Sequence, residues 1–321
     1  MSNNRGVALI IVILMISIII AVTLELNRSS RSSIHESANL ADQIRLKYIA
    51  KSGFNLGVAV LLDDKNPGFD ALNEDWAVPE MMATQAADLF DKESLQVTIA
   101  DESGKIPINK LVTGNAYNVS VKDILVRLLK QPEIGLEAQK AEAVVDSIKD
   151  WIDADDETTG DGAESGYYKS LDKSYPSKNK LLDCIDEILM IKGVTGELYN
   201  GSKDAPGIKM FLTVYGDGKI NINTAPKPVL RALFDIPADT ADQLDAYRKE
   251  EGRDLAGPDW VRNIPGMRDV MINSAFITTK SNDFEISAVS RLNKMKGQAS
   301  GVIRRKIGDR NVMELLSWKV E

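Results

Sequence analysis

Residues 7–24 read VALIIVILMISIIIAVTL, eighteen positions whose only polar members are Ser17 and Thr23. As a helix rising about 1.5 Å per residue, such a run is just long enough to cross a hydrocarbon core. It is longer than the apolar part of an ordinary cleaved signal, and Glu25-Leu26-Asn27-Arg28 follows where a small-residue cleavage pattern would stand. The span therefore reads as a retained anchor. Arg5 lies on one side and Arg28 and Arg31 on the other, so flanking charge alone does not orient it.

The helix is expected to continue past the span. No proline occurs before Pro67, and Ile34, Ala38, Ala41, Ile44 and Tyr48 recur at three- and four-residue intervals. That spacing makes one apolar stripe on an otherwise polar helix. Beyond Gly53, the apolar Phe54, Leu56, Val58, Val60, Leu61 and Leu62 spread around the helix, the pattern of a buried segment. The DDKNPG run at 63–68 then ends it. The prediction is one helix over 7–62, roughly 80 Å long. Its first part (7–24) lies in lipid, its middle is half exposed, and its last part packs in a core.

Composition narrows the function classes. A chain of 321 residues suggests two domains and needs no staples to bury a core. The formal charge of −8 opposes nonspecific attraction to nucleic acid or anionic lipid. One cysteine, Cys184, cannot form an intramolecular disulfide, and the single His35 excludes a multi-histidine metal site. Neither has a catalytic partner nearby in sequence, so both read as structural. No Walker, Rossmann or nucleophile-elbow pattern occurs, and no enzymatic activity is expected.

The rest of the chain predicts an α+β head interrupted by a helical block. Residues 95–100 alternate apolar and polar as a strand, followed by a turn at 101–104. Residues 71–93 read as mixed and partly helical, with a break at Pro79. Helical patterns dominate 106–275: 121–130, 136–152 with Val144, Val145, Ile148 and Ile152 on one face, 179–192, and 226–234. Strands return at 284–289, 301–305 and 312–320. The domain reading is a leader at 1–6, the long helix at 7–62, head segments at 63–105 and 276–321, and an inserted all-α domain at 106–275.

An internal echo supports this division. SGKIPIN at 103–109 resembles GDGKININ at 216–223, each a tight turn, a short apolar piece and an asparagine able to bond backbone or cap a helix. In the second copy, Asn223 or Thr224 is expected to cap a helix holding Pro226 in its first turn. GKININTAPKPVL with LFDIPA at 233–238, and VRNIPGM at 261–267, look like the helix-hairpin-helix pairs of DNA-binding proteins. Such hairpins hold phosphates on glycine N–H groups. Here Ala238 stands where glycine is expected, and 235–251 carries six acidic residues against Arg248 and Lys249. The hairpins read as structural turns. A membrane-anchored DNA-binding protein remains the alternative, and no nucleic acid partner is expected.

Residues 151–168 hold six carboxylates and no base: Asp153, Asp155, Asp156, Glu157, Asp161 and Glu164. Such a cluster is either well solvated or gathered on a hard cation such as Ca²⁺. Asp153, Asp155, Glu157, Thr159, Asp161 and Glu164 fall at EF-hand offsets, but Thr158 replaces the turn glycine, so no EF-hand is assigned. The crowding also offers no separated acid and base of the kind a hydrolase needs.

A short polar leader ending Arg5-Gly6, followed by this helix, resembles a type IV pilin-like prepilin. The DWIDADDE stretch at 150–157, GAE at 162–164, Tyr167-Tyr168, EILMIKGV at 187–194, the NTAP segment and the closing strands are similar to the K-type minor pseudopilin family of the bacterial type II secretion system. The resemblance implies a type IV pilin-like long helix plus a small antiparallel sheet, with the helical domain inserted. It implies cleavage after Gly6 by prepilin peptidase, leaving Val7 as an N-methylated terminus. It also implies Ca²⁺ in the head and a single pass through the inner membrane, with the head in the periplasm. Other minor pseudopilins are the implied partners, with contact to exported cargo left open; a minor pilin of a type IV pilus is the further alternative.

One departure from pilins has a physical reading. Pilins carry glutamate at the fifth mature residue, and here that position is Ile11. A carboxylate within a span costs about 2.5–3.5 kcal/mol, tolerable when it meets the terminal amine of the subunit ahead. A subunit with none ahead has no such amine and can carry Ile11. The resemblance thus points to a tip subunit, with Ile34, Ala38, Ala41, Ile44 and Tyr48 as its assembly stripe.

Overall fold

The computed structural model describes residues 4–64, 66, 68–78, 94–250, 252–306 and 312–321, excepting the side chains of residues 4 and 5. The expectations at residues 1–3, Lys65, Pro67, 79–93 and Glu251 lie outside them.

Helix α1 runs unbroken over Asn4–Leu62, about 88 Å at 1.5 Å per residue. Within the apolar span, the Ser17 hydroxyl donates to the Ile13 carbonyl at 2.9 Å and the Thr23 hydroxyl to Ile19 at 2.7 Å. Both polar groups are thereby satisfied inside the helix, as an apolar solvent requires. Everything from Gly6 to Ala41 is exposed. Burial begins at Leu46 and follows the helical repeat through Ile49, Ala50, Gly53, Phe54, Gly57 and Leu61. The last turns are not buried all round, as their composition suggested: Leu56, Val58 and Val60 are half-buried and Leu62 is exposed. Only one face has a sheet to meet.

That sheet has four antiparallel strands in sequential order: β1 (Ser94–Asp101), β2 (Asp283–Leu292), β3 (Met295–Lys306) and β4 (Val312–Val320). Ile99 pairs with Ile286, and Ala288 with Ala299, so the small and branched apolar residues of alternate positions face α1. A bulge at Leu316 shifts the β3–β4 register. Ala50, Phe54 and Leu61 of α1 pack with Val97, Ile99, Phe284, Ile286, Ala288, Ala299 and Ile303 in one core. Trp76 closes that core edge-on to Phe284 at 5.3 Å.

Between β1 and β2 lies the helical block, built on a second and larger core that runs from Ala71 to Ile277. Its helices are α2 (Val119–Leu129), α3 (Ala138–Ile152), α4 (Ser165–Lys169), α5 (Gly196–Asn200), α6 (Lys227–Phe234) and α7 (Ala238–Lys249). Val144, Val145, Ile148 and Ile152 are all buried on α3. The block is less helical than its apolar pattern suggested. In 179–192 only Ile185–Met190 coils, as a 3₁₀ helix, while Asn179 sits at φ 48°. Pro226 occupies the N-cap of α6 rather than its first turn, where Pro228 stands instead. The second hairpin is a 3₁₀ helix at Pro258–Asn263 turning at Gly266 (φ 86°), with no second helix behind it.

The two echoed segments both form two-residue parallel ladders, Ile106–Pro107 with Leu212–Thr213 and Ile220–Asn221 with Ile277–Thr278. They touch each other, since the Asn221 N–H donates to the Ser103 carbonyl at 2.8 Å. Asn109 bonds the Leu182 and Val214 carbonyls at 3.0 Å each. Asn223 bonds Leu255 at 3.1 Å and accepts from the Trp260 indole at 2.9 Å. Asn223 thus staples loops instead of capping α6. Block and sheet meet at Asp101, whose carboxylate accepts from the Ser103 N–H at 2.7 Å and from the Thr224 and Ser281 hydroxyls.

Candidate functional site

Two features are positioned to act outside the chain's own core. The first is the bare face of α1. Ile11, Ile34, Ala38, Ala41, Ile44 and Tyr48 are all exposed, and the Lys51 ammonium lies 5.3 Å from the Tyr48 ring centre. The inward residues Leu46, Ile49, Ala50 and Gly53 interleave with this stripe, so α1 carries separate faces for its own sheet and for the outside. Gly6 and Val7 lie in the exposed first turns.

The second feature is the acidic loop after α3. Asp153, Asp155 and Glu164 bring one carboxylate oxygen each to within 4.8 Å of one another. Asp156, Glu157 and Asp161 are exposed and stand outside this group. Two residues on α3, one helical turn apart, hold the loop down. Asp150 accepts the Thr159 N–H at 3.1 Å and Asp146 accepts the Asp161 N–H at 3.3 Å. A Cβ on Gly160 would fall 2.2 Å from Asp146 Oδ2, and one on Gly162 would fall 2.1 Å from Asp150 Oδ2, so the backbone passes where side chains cannot. Reading the loop by its own composition missed both anchors, although their i,i+4 spacing on α3 carries the signal.

The base missing from the loop sequence comes from α3. Lys149, buried, donates to Asp153 Oδ2 and to the Thr159 hydroxyl, the latter at 2.8 Å. One cation cannot satisfy the cluster. Asp153 Oδ1, Glu164 Oε1 and Asn179 Oδ1 are buried without a hydrogen-bond partner among the described residues. Burial pushes the Glu164 carboxyl up to about 7, helped by the charges of Asp150, Asp153 and Asp156 and opposed by the Ser177 hydroxyl. Burial likewise raises Asp153 against the pull of Lys149. Asn179 joins from a distant segment, its amide donating to the Asp155 carbonyl at 2.7 Å. Hard oxygen donors with unmet acceptor capacity are the donor set a calcium ion takes.

The hairpin between α6 and α7 offers little to phosphate. Arg248 is buried, bonding Asp245 and the Ile222 carbonyl. Lys249 pairs with Asp245 and Lys227 with Asp242. These cations are committed within the block. Cys184 is exposed at the N-cap of the 3₁₀ helix, and His35 lies on bare α1.

A continuous helix bare along its N-terminal half and laid on a four-stranded antiparallel sheet, with a helical block between the first two strands, defines a pilin-like subunit carrying an insertion. Family models described as type II secretion system (T2SS), protein K match residues 104–203 and 220–278. The type II secretion system protein K of Pseudomonas aeruginosa is 29% identical over 259 residues, covering 78% of this chain and 74% of that protein. Its counterpart in Aeromonas hydrophila is 24% identical, covering 97% of this chain and 96% of its own length. The crystal structure of the GspK-GspI-GspJ complex from the enterotoxigenic Escherichia coli type 2 secretion system matches with a TM-score of 0.70 at 19% identity, over 89% of this chain and 99% of that one. The chain belongs to the type II secretion system protein K family, whose members are minor pseudopilins.

Proposed function

We propose that this subunit stands at the tip of a secretion pseudopilus and starts its assembly together with other minor pseudopilins. The observation that carries this reading is the helix itself: an acid-free span with Ile11 at the position pilins use for glutamate, continuous with an exposed apolar stripe. A tip subunit needs only lateral and downward contacts, and the bare face of α1 supplies them. The large head sits at the far end of the same helix, where it leaves little room for another head above it. The similarity to a protein crystallised with GspI and GspJ supports partners of that kind.

In this reading the span holds the chain in the bacterial inner membrane with the head in the periplasm. Prepilin peptidase cuts after Gly6, and Val7 becomes the methylated terminus. The subunit acts by assembly and performs no catalysis. Mass analysis of the membrane form, with and without the peptidase, tests the processing. A mature chain beginning at Val7 only when the peptidase is present is expected. A chain still beginning at Met1, or cut near Ala21, contradicts the reading.

The carboxylate cluster is proposed to hold Ca²⁺, with Asp153, Asp155 and Glu164 as its side-chain ligands. The unpartnered buried oxygens of Asp153 and Glu164 support this. The ion would neutralise the loop and tie residues 153–164 to α3, stiffening the block. Asp156, Glu157 and Asp161, exposed at the rim, would contribute only to the local field.

A further inference from the structure

The bare helix between the apolar span and the head carries a collar of hydrogen-bond donors. Residues 27–33 read NRSSRSS, seven side chains that can all donate, with no acid and no apolar member. All seven are exposed. Elsewhere on α1 the hydroxyls of Ser17, Thr23, Ser37 and Ser52 fold back on the carbonyl one turn earlier. In the collar Ser32 bonds Glu36 at 3.3 Å. Asn27, Arg28, Ser29, Ser30, Arg31 and Ser33 have no side-chain partner among the described residues. Glu25 lies one turn before Arg28, yet the two form no ion pair among those residues.

Depth gives the collar its meaning. A hydrocarbon core of about 30 Å takes about twenty helical residues, here 7–26. On an upright helix Arg28 then stands about 3 Å beyond the edge and Arg31 about 7 Å, within a polar layer about 5–7 Å deep. Three positions apart, the two guanidinium groups share one face of α1. The formal charge of −8 does not oppose them, because it belongs to the far end of the chain. Residues 1–51 hold six basic against three acidic side chains, a net +3, and residues 52–321 a net −11. Burial in the head begins at Leu46, about 22 Å further along the helix than Arg31. Salt screens over about 8 Å, so the head's field is weak at the collar.

We propose that Arg28 and Arg31 bind the phosphate of an anionic phospholipid in the leaflet on the head side, with the collar serines around it. A guanidinium meets phosphate oxygens in pairs, and the serine hydroxyls add further donors. The proposal rests on reading residues 7–24 as a membrane anchor and adds what fixes that anchor's depth. Drawing the span outward into a filament lifts the arginines off their lipids. The collar thus holds the subunit at its resting depth until assembly pulls on it.

The full chain in phosphatidylcholine vesicles tests this. Cys184→Ser removes the only cysteine, and Val22→Cys carries a bimane label near the head-side end of the span. The quenchers are dibrominated phosphatidylglycerol and dibrominated phosphatidylcholine at the same low mole fraction. Their bromines sit near the headgroup, so the head-side leaflet alone reaches the label. Phosphatidylglycerol is expected to quench as though enriched about fivefold beside the helix. Arg28→Gln with Arg31→Gln abolishes that excess while phosphatidylcholine still quenches. Lys47→Gln, about 24 Å further along the helix than Arg31, keeps it. Equal quenching by both lipids overturns the proposal, as does an excess that survives the double substitution. Quenching by neither shows an uninserted span, which takes the anchor reading down together with the proposal.

Discussion

Gly53 of α1 stands so close to Ala288 of β2 that a Cβ placed on it would lie 3.0 Å from the Ala288 methyl, and 2.7 Å from Leu95 Cδ1. Gly57, one turn on, would meet Ile286 Cγ2 at 2.8 Å. The two glycines let the helix backbone settle onto the sheet, which gives the bare helix a fixed attachment to the head. Gly53→Val is expected to destabilise the head by about 1–3 kcal/mol through overpacking. Ser52→Ala, on the exposed side, should change little. Denaturant midpoints of the full chain in detergent distinguish the two, and equal midpoints would contradict the close packing.

Asp101 gives the joint between sheet and block a pH dependence. Burial raises its carboxyl to about 6, outweighing the hydrogen bonds from Ser281, Thr224 and the Ser103 N–H. A carboxyl raised in the folded state contributes stability that is complete below its unfolded value near 3.8 and is lost as pH rises through about 6. Asp101→Asn removes that dependence. The variant should therefore gain on the wild type as pH rises from about 4 to 7. A melting-temperature difference that stays flat across this window would refute the assignment.

For the carboxylate loop, calcium should raise the melting temperature of the wild-type chain, reversibly on chelation. At a hundredfold excess over Kd the gain is about 2.7 kcal/mol. Glu164→Gln and Asp153→Asn should each remove most of the response, whereas Glu157→Gln, exposed and outside the cluster, should keep it. A flat calorimetric titration of the wild type would remove the metal from the account.

Ile11→Glu puts a carboxylate into the span with no amine to meet it, at a cost of about 2.5–3.5 kcal/mol. The account expects fewer filaments and less secretion at an unchanged level of the subunit in the membrane. Secretion titre normalised to membrane abundance measures it, and an unimpaired variant would contradict the role given to Ile11.

The elements readable in advance were those with a period and a local cause. The long helix followed from an unbroken run without proline, and β1, β2, β3 and β4 from alternation or short apolar runs near polar turns. The interior of the block resisted because its order comes from distant pairs: Asn109 with Leu182 and Val214, Asn223 with Trp260, two-residue ladders closing across more than fifty positions. Local apolar spacing at 179–192 imitated a longer helix, where the chain turns at Asn179, runs extended at Cys184 and coils only over Ile185–Met190. In the acidic loop composition located the carboxylates, but their convergence depends on Asp146, Asp150 and Lys149 on α3 and on Asn179, which lies 24 residues beyond Asp155. Spacing within the loop could not separate Asp153, Asp155 and Glu164 from the three carboxylates that point to solvent.

The position of the head in isolated pseudopili tests the central claim most directly. With a gold label on the head of the otherwise native subunit, electron microscopy should find one particle at a single end of each filament and none along its length. Particles spaced regularly down the shaft would contradict the account, because a subunit with neighbours on both sides would need the acidic partner that Ile11 replaces.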